Sequence, residues 1–220
     1  MKKSFYLSLL FFCCLSITTW AQYDVSSWKS RDQWQKVPEL LKALNLKPGA
    51  KVADVGCHKG YMTMHLAKKV GKTGKVYAVD LDNYKLVALD EEAKKRGFSQ
   101  IKTIQGKPND PLLPTATLDA VIMIDTYHEV AKPIKFLKKL KKALKPGGRI
   151  VIVETIRTYR KHLSRKEQLE KHNLDIGFVR FDFKKAGLSL GVSAYPFTKY
   201  KNKETHWMWY LAGIKPNKGI

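Results

Sequence analysis

An acid and two glycines stand in the order Asp54-Val55-Gly56-Cys57-His58-Lys59-Gly60, after the apolar run Val52-Ala53 and before the helical pattern Tyr61-Met62-Thr63-Met64-His65-Leu66-Ala67. A second apolar run, Lys75-Val76-Tyr77-Ala78-Val79, is closed by Asp80, 20 residues after Gly60. Strand, glycine turn, helix, strand and acid form the unit with which α/β folds hold an adenosine-type cofactor. Glycine has no Cβ, so the backbone can turn sharply and come close to a ligand. A carboxylate closing the second strand can accept two hydrogen bonds from a ribose diol.

A second constellation is Asp125-Thr126-Tyr127-His128-Glu129, which follows the apolar run 118–124. Packing alone does not require five polar or aromatic residues in a row there. In open α/β sheets ligands lie beyond the carboxyl ends of the strands, so residues just after strands are candidates for chemistry. An imidazole titrating near 6.5 suits His128 to take a proton from a hydroxyl, amine or thiol. The competing reading is a helix cap made by Asp125 or Thr126. His128 stays open between a substrate-side and a structural role.

The elements that must position these groups alternate along the chain. Apolar runs at 52–55, 75–80, 101–105, 118–124 and 149–154 read as buried strands, with helical patterns at 60–70, 84–96 and 133–144 between most of them. That alternation implies right-handed crossovers and a parallel sheet. A turn, Lys145-Pro146-Gly147-Gly148, launches the fifth strand. A polar, basic segment runs to Asn173, then a helix to Ala186 that stops at Gly187, then strand-like runs at 189–195 and His206–Ile214. Upstream, residues 22–30 read as a loose arm, and Leu40, Leu41 and Leu44 mark one face of a helix. Glu154 either faces substrate or pairs with the arginines at 157 and 160. Trp34 and Gln35 are candidates to close over a ligand, although by default Trp34 is more often a core anchor. His65 reads as exposed or packed on its helix.

Composition bounds the possible partners. The formal charge is +22, which favours anions and polyanions. Much of it lies at residues 132–149, where Ile134, Leu137, Leu140 and Leu144 recur at helical spacing with lysines on the other face. A solvated helix face explains that pattern. A nucleic-acid groove would interleave aromatics, and this stretch has only Phe136. His162, His172 and His206 show no ligand spacing with a carboxylate or cysteine, so no metal is expected.

The start of the chain reads as an export leader. Lys2 and Lys3 precede an apolar core at residues 5–17, and Thr19-Trp20-Ala21 offers small residues at −3 and −1 before Gln22. The core is shorter than the ~20 residues of a membrane span, so cleavage after Ala21 is expected. The mature chain then carries no membrane anchor and resides in the periplasm or outside the cell. Of three cysteines only Cys57 lies beyond the leader, which leaves no internal disulfide. Cys57 has no motif that pairs it with a base and reads as a small packing residue.

From about Arg31 to Ala212 these motifs resemble the class I S-adenosylmethionine-dependent methyltransferases. The resemblance implies one domain over 31–220, an α/β Rossmann-like doubly wound sheet of seven strands. That sheet is mostly parallel with an antiparallel end, and helices cover both faces. Asp54, Gly56 and Gly60 match the outer positions of the family's glycine motif, and His58 stands at its middle glycine, so its imidazole must point away. Asp80 matches the ribose acid, with Leu81 following. Lys107 stands where an acid often meets adenine, while Asp110 and Pro111 match. S-adenosylmethionine is the implied cofactor, and Cys57, His58, Tyr61 and Asp125 join the implied contacts. A Tyr-His-Glu or Tyr-His-His run after the fourth strand and an Arg-Asp-x-Trp-Gln entry mark a subgroup, which makes His128, Asp125 and Tyr127 the candidate catalytic residues.

Three functions remain open on these residues. The leading one is methyl transfer to an O, N or S atom of a small molecule. A nucleic-acid methyltransferase is the second, although the Asn-Pro-Pro-aromatic run of amine-methylating members is absent after strand four. The third is an exported domain that keeps the fold but binds another anionic or nucleotide-like ligand, suggested by His58, Lys107 and the leader.

Overall fold

The apolar runs form strands whose side chains are buried on both faces, the condition that favours parallel pairing under crossover helices. A computed structural model describes residues 26–217; the expected leader and residues 22–25 of the expected arm lie outside the described residues. β1 (Lys51–Val55), β2 (Lys75–Asp80), β3 (Ile101–Gln105), β4 (Leu118–Ile124) and β5 (Leu144–Arg157) run parallel. β7 (His206–Ile214) lies antiparallel between β5 and β6 (Ser189–Lys199), giving the order β3-β2-β1-β4-β5-β7-β6.

Alternate residues of each strand feed two cores. Val52, Ile122 and Val151 pack under α2 (Val37–Leu44), α3 (Tyr61–Val70) and α4 (Asn83–Lys95). Ala53, Met123 and Ile152 face α5 (Pro133–Ala143) and α7 (Ile176–Ala186) on the other side. On α5, Phe136, Leu137 and Leu140 are buried while Lys135, Lys138, Lys139 and Lys142 are exposed, so its lysines form a solvated face. Strand order reverses between β1 and β4. That switch point is where open α/β sheets leave a crevice.

Three boundaries differ from the sequence reading. Residues 26–30 are not a loose arm: α1 (Ser26–Gln35) covers them, and Trp28 packs edge-on to Tyr61 with the Arg96 guanidinium 5.4 Å from its ring. Lys36, at φ 49°, separates α1 from α2. β5 starts at Leu144, and the turn at 145–148 is a bulge within it, because Leu118 pairs with Leu144 and Ala120 with Arg149. The basic segment before Asn173 contains α6 (Arg165–Glu170), started by a capping box between Ser164 and Glu167.

Candidate active site

The carboxyl ends of β1, β2 and β4 open into a cavity of about 980 Å³, a size that suits a cofactor. The glycine turn forms its floor. The N–H groups of Gly56 and Cys57 both donate to the Val79 carbonyl, at 2.8 and 3.0 Å, which staples the turn to β2. Gly56 has φ 78°, and a Cβ there would sit 2.3 Å from the Thr126 side chain. His58 takes φ 50° with a side chain, a conformation glycine adopts at lower cost. Its N–H donates to Asp80 Oδ2 at 2.8 Å, and Asp80 Oδ1 accepts from the Asp82 N–H.

Several carboxylates line the walls. Asp54 is buried and accepts from Thr63 Oγ1 at 2.7 Å. Burial raises its pKa to about 6, against the pull of Thr63 and Arg31. Asp125, at φ 52°, is raised by burial and by nearby Glu154. Arg31 stacks 4.2 Å over the Tyr61 ring and bonds Gln35 Oε1. Gln35 is fully buried on this wall, and its Nε2 has no hydrogen-bond partner among the described residues. A buried, unpaired amide donor is costly. Arg31 and Gln35 together suit a carboxylate, and Asp54 suits an ammonium, so the wall fits an amino-acid moiety. Trp34 and Tyr200 also line the cavity and meet edge to face, with 5.3 Å between ring centroids.

At the exit of β4 the chain makes a short 3-10 turn, Tyr127–Glu129. Glu154, fully buried on β5, ties it down: Oε1 accepts the N–H groups of Thr126 and His128, and Oε2 lies 2.9 Å from His128 Nδ1. A carboxylate at Nδ1 fixes the proton there and leaves Nε2 as the basic atom. Burial lowers the pKa of His128, but the hydrogen bond and charge of Glu154, with Asp125 and Glu129, outweigh it and hold it above the ordinary value. His172 Nδ1 stands 3.4 Å from His128 Nε2. Donor atoms of His128, Glu129 and His172, and of Asp125, His128 and Glu154, converge within 4.8 Å, a cluster that sequence spacing could not show.

A family model described as "Methyltransferase domain" matches residues 46–212. The chain belongs to this family. It is 32% identical over 132 residues to the demethylmenaquinone methyltransferase of Anoxybacillus flavithermus, covering 60% of this chain and 55% of that protein. The chain thus spans little more than half the length of that relative. A solved SAM-dependent methyltransferase from Aquifex aeolicus superposes with a TM-score of 0.70 at 26% identity, over 87% of this chain and 98% of that one. The cyclase SpnF gives 0.72 at 14% identity, over 84% and 81%, which speaks for the fold alone.

Within this family fold, Asp54, Gly56, Cys57, His58, Tyr61, Asp80, Leu81, Pro111 and Asp125 all line the cavity. Asp110 does not. Its carboxylate pairs with Lys139 at 2.8 Å and accepts from the Leu112 N–H, which corrects its expected cofactor role. Gly60 lies behind the turn, where a Cβ would meet Leu89 at 2.2 Å, so it serves packing on α4 rather than ligand contact. Tyr127 is also corrected: it is buried, and its hydroxyl donates to Asp182 on α7, away from the cavity. Glu154 pairs with His128, not with the arginines. His65 sits 3.2 Å from Asp32. Tyr200 carries no signal in the sequence, Arg31 enters there only as part of the Arg-Asp-x-Trp-Gln run, and His172 only as a histidine without ligand spacing. Glu154 carried the one available signal, an acid inside an apolar strand.

Proposed function

We propose that this protein is an S-adenosylmethionine-dependent methyltransferase whose acceptor is a small molecule with an ionisable hydroxyl, of the quinol kind. The observation that carries the reading is the His128–Glu154 pair standing beside an acid-lined crevice at the switch point. The names of the relatives support a quinone-type acceptor. When bound, S-adenosylmethionine would supply an electrophilic sulfonium methyl for transfer to the acceptor oxygen. Asp80 binds the ribose diol, while Asp54, Arg31 and Gln35 hold the amino-acid end. Acceptor enters beside Asp125 and Tyr200, and His128 Nε2 removes its proton. Glu154 orients the imidazole and stabilises the imidazolium that results, and alignment by the walls supplies the remainder of the rate. Export through the leader belongs to the same reading, with a mature start near Gln22 that N-terminal sequencing can check.

Calorimetry tests the cofactor half. Asp80→Ala is expected to weaken S-adenosylmethionine binding by about 1.5–3 kcal/mol, the scale of hydrogen bonds to a charged group. Unchanged affinity would place the adenosine elsewhere, and an absence of binding to the wild-type chain would end the proposal. Transfer of labelled methyl to a demethylated quinol, lost in His128→Ala with cofactor affinity kept, tests the other half.

A further inference from the structure

A second cavity of about 350 Å³ adjoins the first, and Asp125, Glu129 and Tyr200 line both. The wall it does not share carries Arg157, Arg160, Lys171 and His206. No ion pair joins these cations to a carboxylate among the described residues. Arg160 reaches the Lys171 carbonyl and Asn173 Oδ1, and Arg157 reaches only the exposed Tyr159 hydroxyl, at 3.5 Å. Arg157 Nε is buried without a hydrogen-bond partner among the described residues, and so are both ring nitrogens of His206, a residue 7% exposed.

Arg157 and His206 stand opposite each other in the antiparallel pairing of β5 with β7, so their side chains leave the same face of the sheet. Burial, then Arg157, Lys203, Arg160 and Lys201, push the His206 pKa down to about 4. Buried polar atoms and clustered like charges are unfavourable unless a counter-charge completes them. An oxyanion supplies that counter-charge with charge-assisted hydrogen bonds to guanidinium and imidazole. The three shared residues place such an anion one cavity away from the cofactor crevice, with His128 lining the same second cavity.

We propose that this wall is an oxyanion subsite that takes a carboxylate or phosphate carried by the methyl acceptor. The acceptor then bears an ionisable hydroxyl, held at His128, and an anionic group, held by Arg157, Arg160, Lys171 and His206. An uncharged quinol would leave those groups unpaired. The identity of the acceptor rests on the methyltransferase reading, but anion binding here does not.

The test follows the His206 ring resonances by NMR while inorganic phosphate, and separately acetate, is titrated into the full chain with and without S-adenosylhomocysteine. A saturable shift is expected, with the His206 pKa rising as the anion binds, and the tighter of the two probes distinguishes phosphate from carboxylate. Arg157→Gln and Lys171→Gln each remove side chains with no strong internal contact, so both should fold. Each is expected to weaken the anion by about 10-fold or more, the equivalent of one charge-assisted hydrogen bond. No saturable shift, or an affinity in both variants equal to that of the wild type, overturns the proposal. Calorimetric binding of S-adenosylhomocysteine in the same samples tests the methyltransferase reading separately, so either can fail without the other.

Discussion

Tyr127 and His128 are consecutive in the turn after β4, and each ends on a buried carboxylate, but the two pairs are finished differently. The Tyr127 hydroxyl donates to Asp182 Oδ2 at 2.8 Å, and Arg165 grips the same carboxylate with two bonds of 2.9 and 2.7 Å. Burial and Asp182 push the tyrosine pKa up, so the hydroxyl stays protonated. Both oxygens of the Asp182 carboxylate and the tyrosine hydroxyl are thus engaged. His128 instead gives Nδ1 to Glu154 and keeps Nε2 on the edge of the second cavity. A closed network fixes the turn against α7, whereas in the open one Nε2 of His128 has only a long contact, 3.4 Å, to Nδ1 of the exposed His172, which the proton of an acceptor can replace. Neighbouring residues can therefore divide scaffold and catalysis between them.

The largest effect expected on this contrast comes from Glu154→Ala. It leaves two backbone N–H groups and the His128 ring without an acceptor in the interior. Removing one partner of a buried pair costs about 3–5 kcal/mol, and urea denaturation should show a loss of that size. A loss under about 1 kcal/mol, the worth of an ordinary hydrogen bond, would mean that the turn is held by something other than Glu154.

Tyr127→Phe should do much less. Asp182 keeps both Arg165 bonds, so the expected cost is about 1 kcal/mol for one hydrogen bond, with S-adenosylmethionine affinity unchanged. If instead methyl transfer collapsed while the melting temperature held, Tyr127 would belong with His128 and the division drawn between them would fail.

The sequence shows why one half of this contrast was visible and the other was not. Strand ends are local features, so the glycine turn, Asp80 and the run 125–129 could be located from apolar periodicity and punctuation. Which way each residue of that run points was not visible, because successive side chains in a 3-10 turn diverge by about a third of a circle. That is how Tyr127, adjacent to His128, came to be grouped with it. The second cavity depends on register: Arg157 meets His206 only because β7 inserts antiparallel between β5 and β6, a pairing of strands about 50 residues apart that no local alternation pattern specifies. The arm was misread for a different reason, since α1 carries only Trp28 and Trp34 as large apolar residues and shows little amphipathic periodicity. Asp110 is a ligand contact only by its match to the family's segment after the third strand, and Lys139 of α5 takes its carboxylate here.

The smallest effect expected is in the pH dependence of stability, and it isolates the open pair. Burial works against the imidazolium of His128, but Glu154, Asp125 and Glu129 overcome it, so the folded-state pKa lies above the ordinary 6.5. The folded chain then holds this proton more tightly than the unfolded one. Its contribution is fully present below pH 6.5 and is lost as pH rises through the raised folded value, with a slope that cannot exceed about 1.4 kcal/mol per pH unit for one proton. His206 has the opposite sign, because its folded pKa of about 4 makes stability fall as pH drops below 6.5. The two windows therefore lie on opposite sides of 6.5. His172, Arg157, Arg160 and Lys171 also face the His128 side of the cavity, so the comparison has to be a difference. Subtracting Glu154→Gln from wild type removes the chief raising partner and leaves those neighbours in place. The difference in unfolding free energy should shrink with rising pH above 6.5. A difference that stays flat there would show that Glu154 holds the turn through its backbone bonds alone, and that His128 is no better prepared to accept a proton than a free imidazole.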